Sequence, residues 1–414
     1  MLRGRARFPL AVLAAVVVAQ AAVLLLWPRD GVIDPDPVQL GSYFSAAQLD
    51  RAQDFRGPQQ LLGLLALALQ GVLLVVLARR SAWVARVVLP RLPAGPLRAA
   101  AVGGALLAVA LRLVTLPLSA IGRERAIDVG LVTRSWPGWA QDVLLSTAIT
   151  AAFAAFGAVV AVALMRRLPR AWWLAGTVGV VLAAAGYTFA GPAVIDPLFN
   201  DFRTLPAGPT RDDVLELARR ADVDVGDVLV VDASRRTTAA NAYVTGLGHT
   251  KRVVLYDTLL RRFTRDEVRL VVAHELAHVH HHDVPRGILF VLLVAPMGLL
   301  AVRRMTDELA PVPTSAAPAT VAVLPALALS LAVVATSITW VSNQLSRRVE
   351  ARADSYALQL TDAPRPFLSF ERRLALRNVS DPDGGPRIVR FLLGTHPPVR
   401  ERLGIGEAYA RERP

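Results

Sequence analysis

The sequence predicts an all-α integral membrane protein of about seven transmembrane helices, interrupted by one small α/β insertion and ended by a polar C-terminal segment. Three observations predict it. The 414-residue chain is 54% hydrophobic, with a mean hydropathy of +0.43, which is too apolar for an ordinary soluble domain. Its apolar residues are gathered into runs close to the ~20 residues a helix needs to cross a bilayer. One long polar stretch, 191–286, breaks the series and carries strand and turn signals of its own. The chain therefore divides into five spans with short loops (1–190), the insertion (191–286), two further spans (287–341) and the C-terminal segment (342–414).

Residues 8–27 form an uncharged apolar run behind Arg3, Arg5 and Arg7. The run is longer than the ~7–15 apolar residues of a cleaved signal peptide, so it reads as a retained anchor. Residues 28–60 are polar, with Asp30, Asp34, Asp36, Asp50 and Asp54. Apolar runs follow at 61–78, 99–120, 142–165 and 171–190. Arg112 falls inside the third span; at that depth it faces a bundle interior or wet cavity, or snorkels toward an interface. Within the insertion, Thr210-x-x-Asp213 opens an amphipathic helix that runs through Ala221. Val228–Asp232 reads as a short strand. Asn241–Thr245 and Arg252–Tyr256 read as two more, joined by a turn at Gly246-Leu-Gly-His-Thr250. Thr264-Arg-Asp-Glu267 is a capping box, and Val268, Val271, Val272, Leu276 and Val279 follow it at helical spacing. The runs 287–302 and 319–341 are separated by a Pro/Ala/Thr-rich loop at 310–319. Residues 342–360 read as a separate amphipathic helix. The remainder is a polar tail broken by Pro364, Pro366 and Asp381-Pro-Asp-Gly-Gly385.

There is no cysteine, so disulfides and thiolate metal sites are excluded. The net charge of +13 is almost wholly arginine, since Lys251 is the single lysine. A nucleic-acid partner would require a basic face interleaved with aromatics. Here the arginines sit largely in loops and near the ends of apolar runs, where they act as topology signals, so the expected partner is the lipid bilayer. Either orientation leaves a similar number of span-flanking arginines inside, and the positive-inside rule does not choose between them.

The chemistry is concentrated in Val271-Val-Ala-His-Glu-Leu-Ala-His-Val279. On a helix, His274 and His278 lie one turn apart on one face and can grip one metal ion. Glu275 lies beside them, where it can reach a water on that metal without being a ligand. That is the H-E-x-x-H arrangement of zinc hydrolases. A catalytic zinc keeps three protein ligands and an open position. Candidates for the third are His280, His281, His282, Asp283 and carboxylates far along the chain. Ligands stacked on one straight helix converge poorly on a tetrahedral ion, so Glu350, on another predicted helix, is the better candidate. Asp354, one turn beyond it, could accept a hydrogen bond from a ligating imidazole. A solvated charged face beside Arg347, Arg348 and Arg352 is the alternative for both. His396 reads as a surface-loop residue or as a donor to a tetrahedral intermediate.

With these residues assembled, the chain resembles the zinc-dependent integral-membrane CAAX prenyl proteases. The resemblance rests on His274-Glu-x-x-His278, Asp196-Pro-Leu-Phe-Asn200, Asn241-Ala-Tyr-Val244 and Lys251-Arg-Val-Val-Leu-Tyr-Asp-Thr-Leu259. It continues through Asn343, Ser346-Arg347, Glu350, Ala353-Asp354, and Thr395-His-Pro-Pro398 with Arg402. These motifs run in order over most of the polar half. The resemblance implies one Zn2+ per chain on His274, His278 and Glu350, with Glu275 as base. It puts Asp354 behind the ligands and His396 near the scissile carbonyl. It also implies that Asn241, Ala242 and Tyr243 hold a peptide backbone by edge pairing, and that the helices enclose a wet chamber. The expected function is a membrane zinc endopeptidase, with a catalytically inactive zinc-binding scaffold or a transporter as the alternative, and the expected substrate is a peptide or membrane protein, lipidated at its C-terminus or of broader kind. The expected location is the cell membrane, with the catalytic segments on the cytoplasmic side. The His280–His282 run departs from the family pattern. The spans before residue 191 match in layout more than in residues.

Overall fold

Helix length and capping set the architecture. In the computed structural model, described over residues 7–80, 83–310 and 321–413, seven helices are long and apolar enough to cross a membrane. They are α1 (Arg7–Leu26), α2 (Ala46–Arg79), α3 (Pro96–Asp128), α4 (Trp136–Arg167), α5 (Trp172–Val194), α9 (Asp283–Leu309) and α10 (Leu324–Thr361). Six of them bury only 6–22% of their most apolar window within the protein, and α10 buries 44%. Apolar surface left this bare needs hydrocarbon around it. Packing runs from α2 to α3, α4, α5, α9 and α10 and back to α2, closing a ring, with α1 lodged against α9 and α10. Arg112 lines a cavity of about 490 Å³ between α2, α3, α4 and α10, together with Gln70, Thr115 and Thr150.

Between α5 and α9 lie β1 (Phe202–Thr204), α6 (Pro209–Arg220), β2 (Asp227–Val231), β3 (Ala242–Thr245), β4 (Arg252–Tyr256), α7 (Asp257–Arg262) and α8 (Arg265–His280). The sheet order is β1-β2-β4-β3. β2 and β4 are parallel, and the two outer pairs are antiparallel. β3 is therefore an edge strand. Gly246, at φ +103, makes the β3–β4 turn possible; a Cβ there would lie 2.4 Å from the Thr250 carbonyl oxygen. The capping box of α8 is present as read: Thr264 N–H donates to Glu267 Oε2 at 2.8 Å, and Glu267 N–H to Thr264 Oγ1 at 3.3 Å. Val268, Val271, Val272 and Leu276 of α8 are buried against Val253 and Leu255 of β4 and Leu217 of α6. Each such side chain contributes about 1.5–3 kcal/mol by leaving water, and together they fix the motif helix on the sheet.

Three expectations are corrected. The polar segment 28–60 is helical from Ala46, because Ser45 and Gln48 form an unread capping box and Pro58 is carried inside α2. Span seven and the helix expected at 342–360 are one helix, α10. Its 38 residues make about 57 Å at 1.5 Å per residue, well beyond the ~30 Å hydrocarbon layer. The C-terminal tail is α11 (Pro364–Arg377), α12 (Arg387–Leu393) and α13 (Val399–Glu412). Pro364, read as a break, opens α11 instead, and Pro398 precedes α13. Gly404 of α13 lets the 28–45 segment close in: Asp36 N–H donates to its carbonyl at 3.0 Å, and a Cβ would lie 2.4 Å from Asp36 O. β1, only three residues long, was not anticipated. Residues 311–319 of the Pro/Ala/Thr-rich loop, residues 319 and 320 at the start of the seventh apolar run, and Arg3 and Arg5 lie outside the described residues.

Candidate active site and metal centre

Helical geometry puts the His274 and His278 rings 5.0 Å apart on α8. The outer half of α10 brings Glu350 against both: His274 Nε2 lies 3.3 Å from Oε2 and His278 Nε2 3.8 Å from Oε1. Ligand atoms of the three residues lie within 4.8 Å of one another. Two atoms bound ~2.0–2.1 Å from one tetrahedral ion stand about 3.4 Å apart, so the spacing suits a single cation. The protonation pattern suits it too. The Nδ1 of His274 is 2.9 Å from Asp354 Oδ1, and that of His278 is 3.0 Å from Asp283 Oδ2. A carboxylate can only accept, so each Nδ1 carries the proton and each Nε2 offers a lone pair. Glu350 Oε2 is buried and has no hydrogen-bond donor. Such an atom is costly to bury unless a cation completes it.

Glu275, next in sequence to His274, lines a cleft of about 480 Å³ with His274, His396, Asn241, Val271 and Phe370. Burial raises its pKa above the ordinary glutamate value, and the neighbouring imidazoles partly offset this. A carboxylate held toward its protonated form is suited to taking up and giving back a proton. His396 Nε2 lies 3.3 Å from Glu350 Oε2 on the open side. Its loop is held to α10 by Asn343 Nδ2, which donates to Leu392 O at 2.7 Å, and by Arg347 Nη1, which donates to Gly394 O at 2.6 Å. Those contacts account for Asn343 and Arg347.

Asp354 is fully buried. It accepts from Arg402 Nε at 2.8 Å as well as from His274. Arg402 also pairs with Glu371 at 3.0 Å. Burial pushes the Glu371 carboxyl up to about 7, against the pull of Arg402. Sequence reasoning missed Glu371. Its signal is an acid on the apolar face of α11, one residue after Phe370 and three before Leu374.

Of the edge residues, Asn241 lines the cleft and its carbonyl accepts from Tyr256 N–H at 3.1 Å. Ala242 is buried in the core. Tyr243 points to the other face of the sheet, where its hydroxyl donates to Asp196 Oδ2 at 3.2 Å. Asp196, from the Asp-Pro-Leu-Phe-Asn motif, thereby braces β3. Among the described residues, the one group of His and acids close enough to share a metal omits His280, His281 and His282. His280 and His282 are exposed, as expected of a wet helix end, yet they are not idle. His280 donates from Nδ1 to Ala221 O at 2.9 Å and stacks on Tyr356 at 4.7 Å.

The family model for peptidase family M48 matches residues 206–405. A Bacillus subtilis protein named as the uncharacterized metalloprotease YhfN is 32% identical over 71% of this chain and 70% of its own length. A CAAX prenyl protease 1 homolog of Arabidopsis thaliana is 31% identical over 51% of this chain. The chain spans 50% of that relative's length. The crystal structure of Ste24p from S. mikatae superposes with a TM-score of 0.78, at 19% identity, over 97% of this chain and 98% of that one.

Proposed function

This chain belongs to peptidase family M48 and is a multi-pass membrane metalloprotease, and from that premise we propose that it is a zinc endopeptidase in which His274, His278 and Glu350 hold the ion and Glu275 is the general base. The observation that carries the reading is the convergence of two imidazole nitrogens and a buried carboxylate oxygen that accepts no hydrogen bond, with the half-buried Glu275 beside them. The donor set, two nitrogens and one oxygen with no thiolate, suits zinc. Zinc, when bound, supplies Lewis acidity and lowers the pKa of a coordinated water.

The protein's own residues do the rest. Glu275 accepts the proton of the attacking water and delivers it to the leaving amine. His396 donates to the oxyanion that develops on the scissile carbonyl. Asp354, fixed by Arg402, holds His274 in the tautomer and orientation a ligand requires. Asn241, Ala242 and Tyr243 offer the open side of β3 to a substrate main chain, so that affinity comes from backbone pairing with little side-chain selectivity. The chain from 191 to 286, with the segment from 342, carries the chemistry, and the helices of 1–190 and 287–341 hold it in the membrane. Substrates are peptides or membrane proteins presented at the cytoplasmic face of the cell membrane. Proteins lipidated on a C-terminal C-a-a-X cysteine are one class, supported by the similarity to the plant CAAX prenyl protease 1 homolog. Unmodified membrane proteins are the other.

The test is cleavage of synthetic peptides by the purified full-length protein in detergent. N-methylation of backbone amides flanking the scissile bond removes donors that edge pairing needs, and is expected to raise KM at least tenfold at alternate positions. Uniform tolerance of N-methylation would remove β3 from substrate binding. A farnesylated peptide cleaved faster than its unmodified twin assigns the first substrate class, and equal rates assign the second.

A further inference from the structure

We propose that Asp283 and Arg352 are positioning residues for the second histidine of the motif, forming a clamp built from the two membrane helices on either side of the site. The proposal rests on the assignment of His278 as a metal ligand. Asp283 is the first residue of α9, the sixth span. Its Oδ2 lies 3.0 Å from His278 Nδ1, and its Oδ1 accepts from Arg352 Nη2 on α10. Asp283 and Arg352 have side chains only 11% and 6% exposed. The arrangement repeats what Asp354 and Arg402 do for His274: imidazole to carboxylate to guanidinium. Each motif histidine thus has its own aspartate, and each aspartate its own arginine.

The backbone makes this possible at a conformational cost. The chain leaves α8 at His280 and must turn back at once for Asp283 to reach a residue five positions earlier. It does so through His282 in the left-handed region, at φ 55 and ψ 41. A non-glycine residue there is uncommon and persists where the surroundings demand it. The turn also puts the Asp283 carboxylate at the N-terminus of a long helix, where negative charge is favourable. A simple helix start would account for the acid but not for its contact with the imidazole. It would also leave unexplained the buried arginine on a different helix. An unbacked aspartate could rotate toward water, and the ion pair with Arg352 holds it facing His278. The geometry gives the His280–His282 run a purpose: one histidine anchors the helix end to Ala221, the residue that caps α6, and the last makes the turn that delivers the clamp.

The experiment measures zinc affinity, with Zn2+ itself as probe, by competition with a chromogenic chelator on the full-length protein in detergent. Thermal unfolding is recorded alongside. Loss of a partner behind a metal-ligating histidine typically costs 10–100-fold in metal affinity. Asp283→Ala and Arg352→Gln are each expected to weaken zinc binding, Asp283→Ala by that factor. Asp283→Asn keeps an accepting oxygen at the same reach and is expected to restore most of it. Should Asp283→Ala fail to fold, Asp283→Ser keeps a small polar group at the helix start but cannot reach the imidazole, and is expected to show the same loss. Asp283→Ser with wild-type zinc affinity, and any deficit confined to thermal stability, would overturn the clamp. His278→Ala separates the two levels. If it keeps zinc, the ligand assignment itself fails. If it loses zinc while Asp283→Ser binds normally, only the clamp fails.

Discussion

Replacing Glu275 with glutamine is expected to leave fold and metal content unchanged and to lower peptide cleavage by about 10²–10⁴-fold. The amide is nearly isosteric with the carboxyl group, and Glu275 makes no hydrogen bond or ion pair among the described contacts that the swap would break. Leu276 and Val272, the α8 neighbours that carry the packing, are untouched. What the amide cannot do is accept a proton. The attacking water loses its base and the leaving amine its acid, so both halves of the reaction slow. The loss belongs in kcat rather than KM, because the group acts on the transition state more than on bound substrate. A protein that only bound metal as a scaffold would not register the change. Undiminished turnover by Glu275→Gln, with metal still bound, would remove this residue from the mechanism.

Removal of Glu350 is expected to have the larger effect on the metal itself. Without it, two imidazoles remain, one short of the three protein ligands that a catalytic zinc site uses. Glu350→Ala, His274→Ala and His278→Ala should each purify with essentially no zinc by elemental analysis, whereas His282→Ala should purify with a full complement. The contrast is drawn from position: His282 is an exposed turn residue outside the cluster, and Glu350 Oε2 is buried among the imidazoles with no donor. Glu350→Ala retaining full zinc while His282→Ala lost it would overturn the choice of third ligand.

How much of this could be read beforehand follows the range of the forces involved. The motif helix was readable because its cap, its apolar spacing and its two histidines are all local to 264–279. The seven spans were readable because crossing a bilayer demands length and apolarity that few other structures need. Their ends were not. Beyond the hydrocarbon the helices are held by caps such as Ser45 with Gln48 and by tertiary contacts, and hydropathy is silent about both. The same blindness split α10 in two at the point where it turns polar, although no glycine or proline interrupts it there. Glu350 and Asp354 stood out by spacing alone as an acid pair one turn apart, with a solvated face as an equal alternative. The family resemblance, rather than any local rule, favours the ligand reading. Glu371 and the contact between Asp283 and His278 depend on which side chains meet across α10, α11 and α13. Nothing within one helix encodes such meetings. Tyr243 shows the converse: in sequence it was one of three edge residues, yet strand alternation turns its ring to the opposite face, onto Asp196.

The central claim, one catalytic metal on one three-residue site, is tested most directly by stepwise reconstitution. Full-length protein stripped with a chelator is titrated with Zn2+ while cleavage of a peptide is followed. The expected result is no turnover without metal and a rate that rises linearly, then breaks sharply at one equivalent per chain, in wild type but not in Glu350→Ala. Turnover that survives complete stripping, or a break at two equivalents in the wild type, would contradict it.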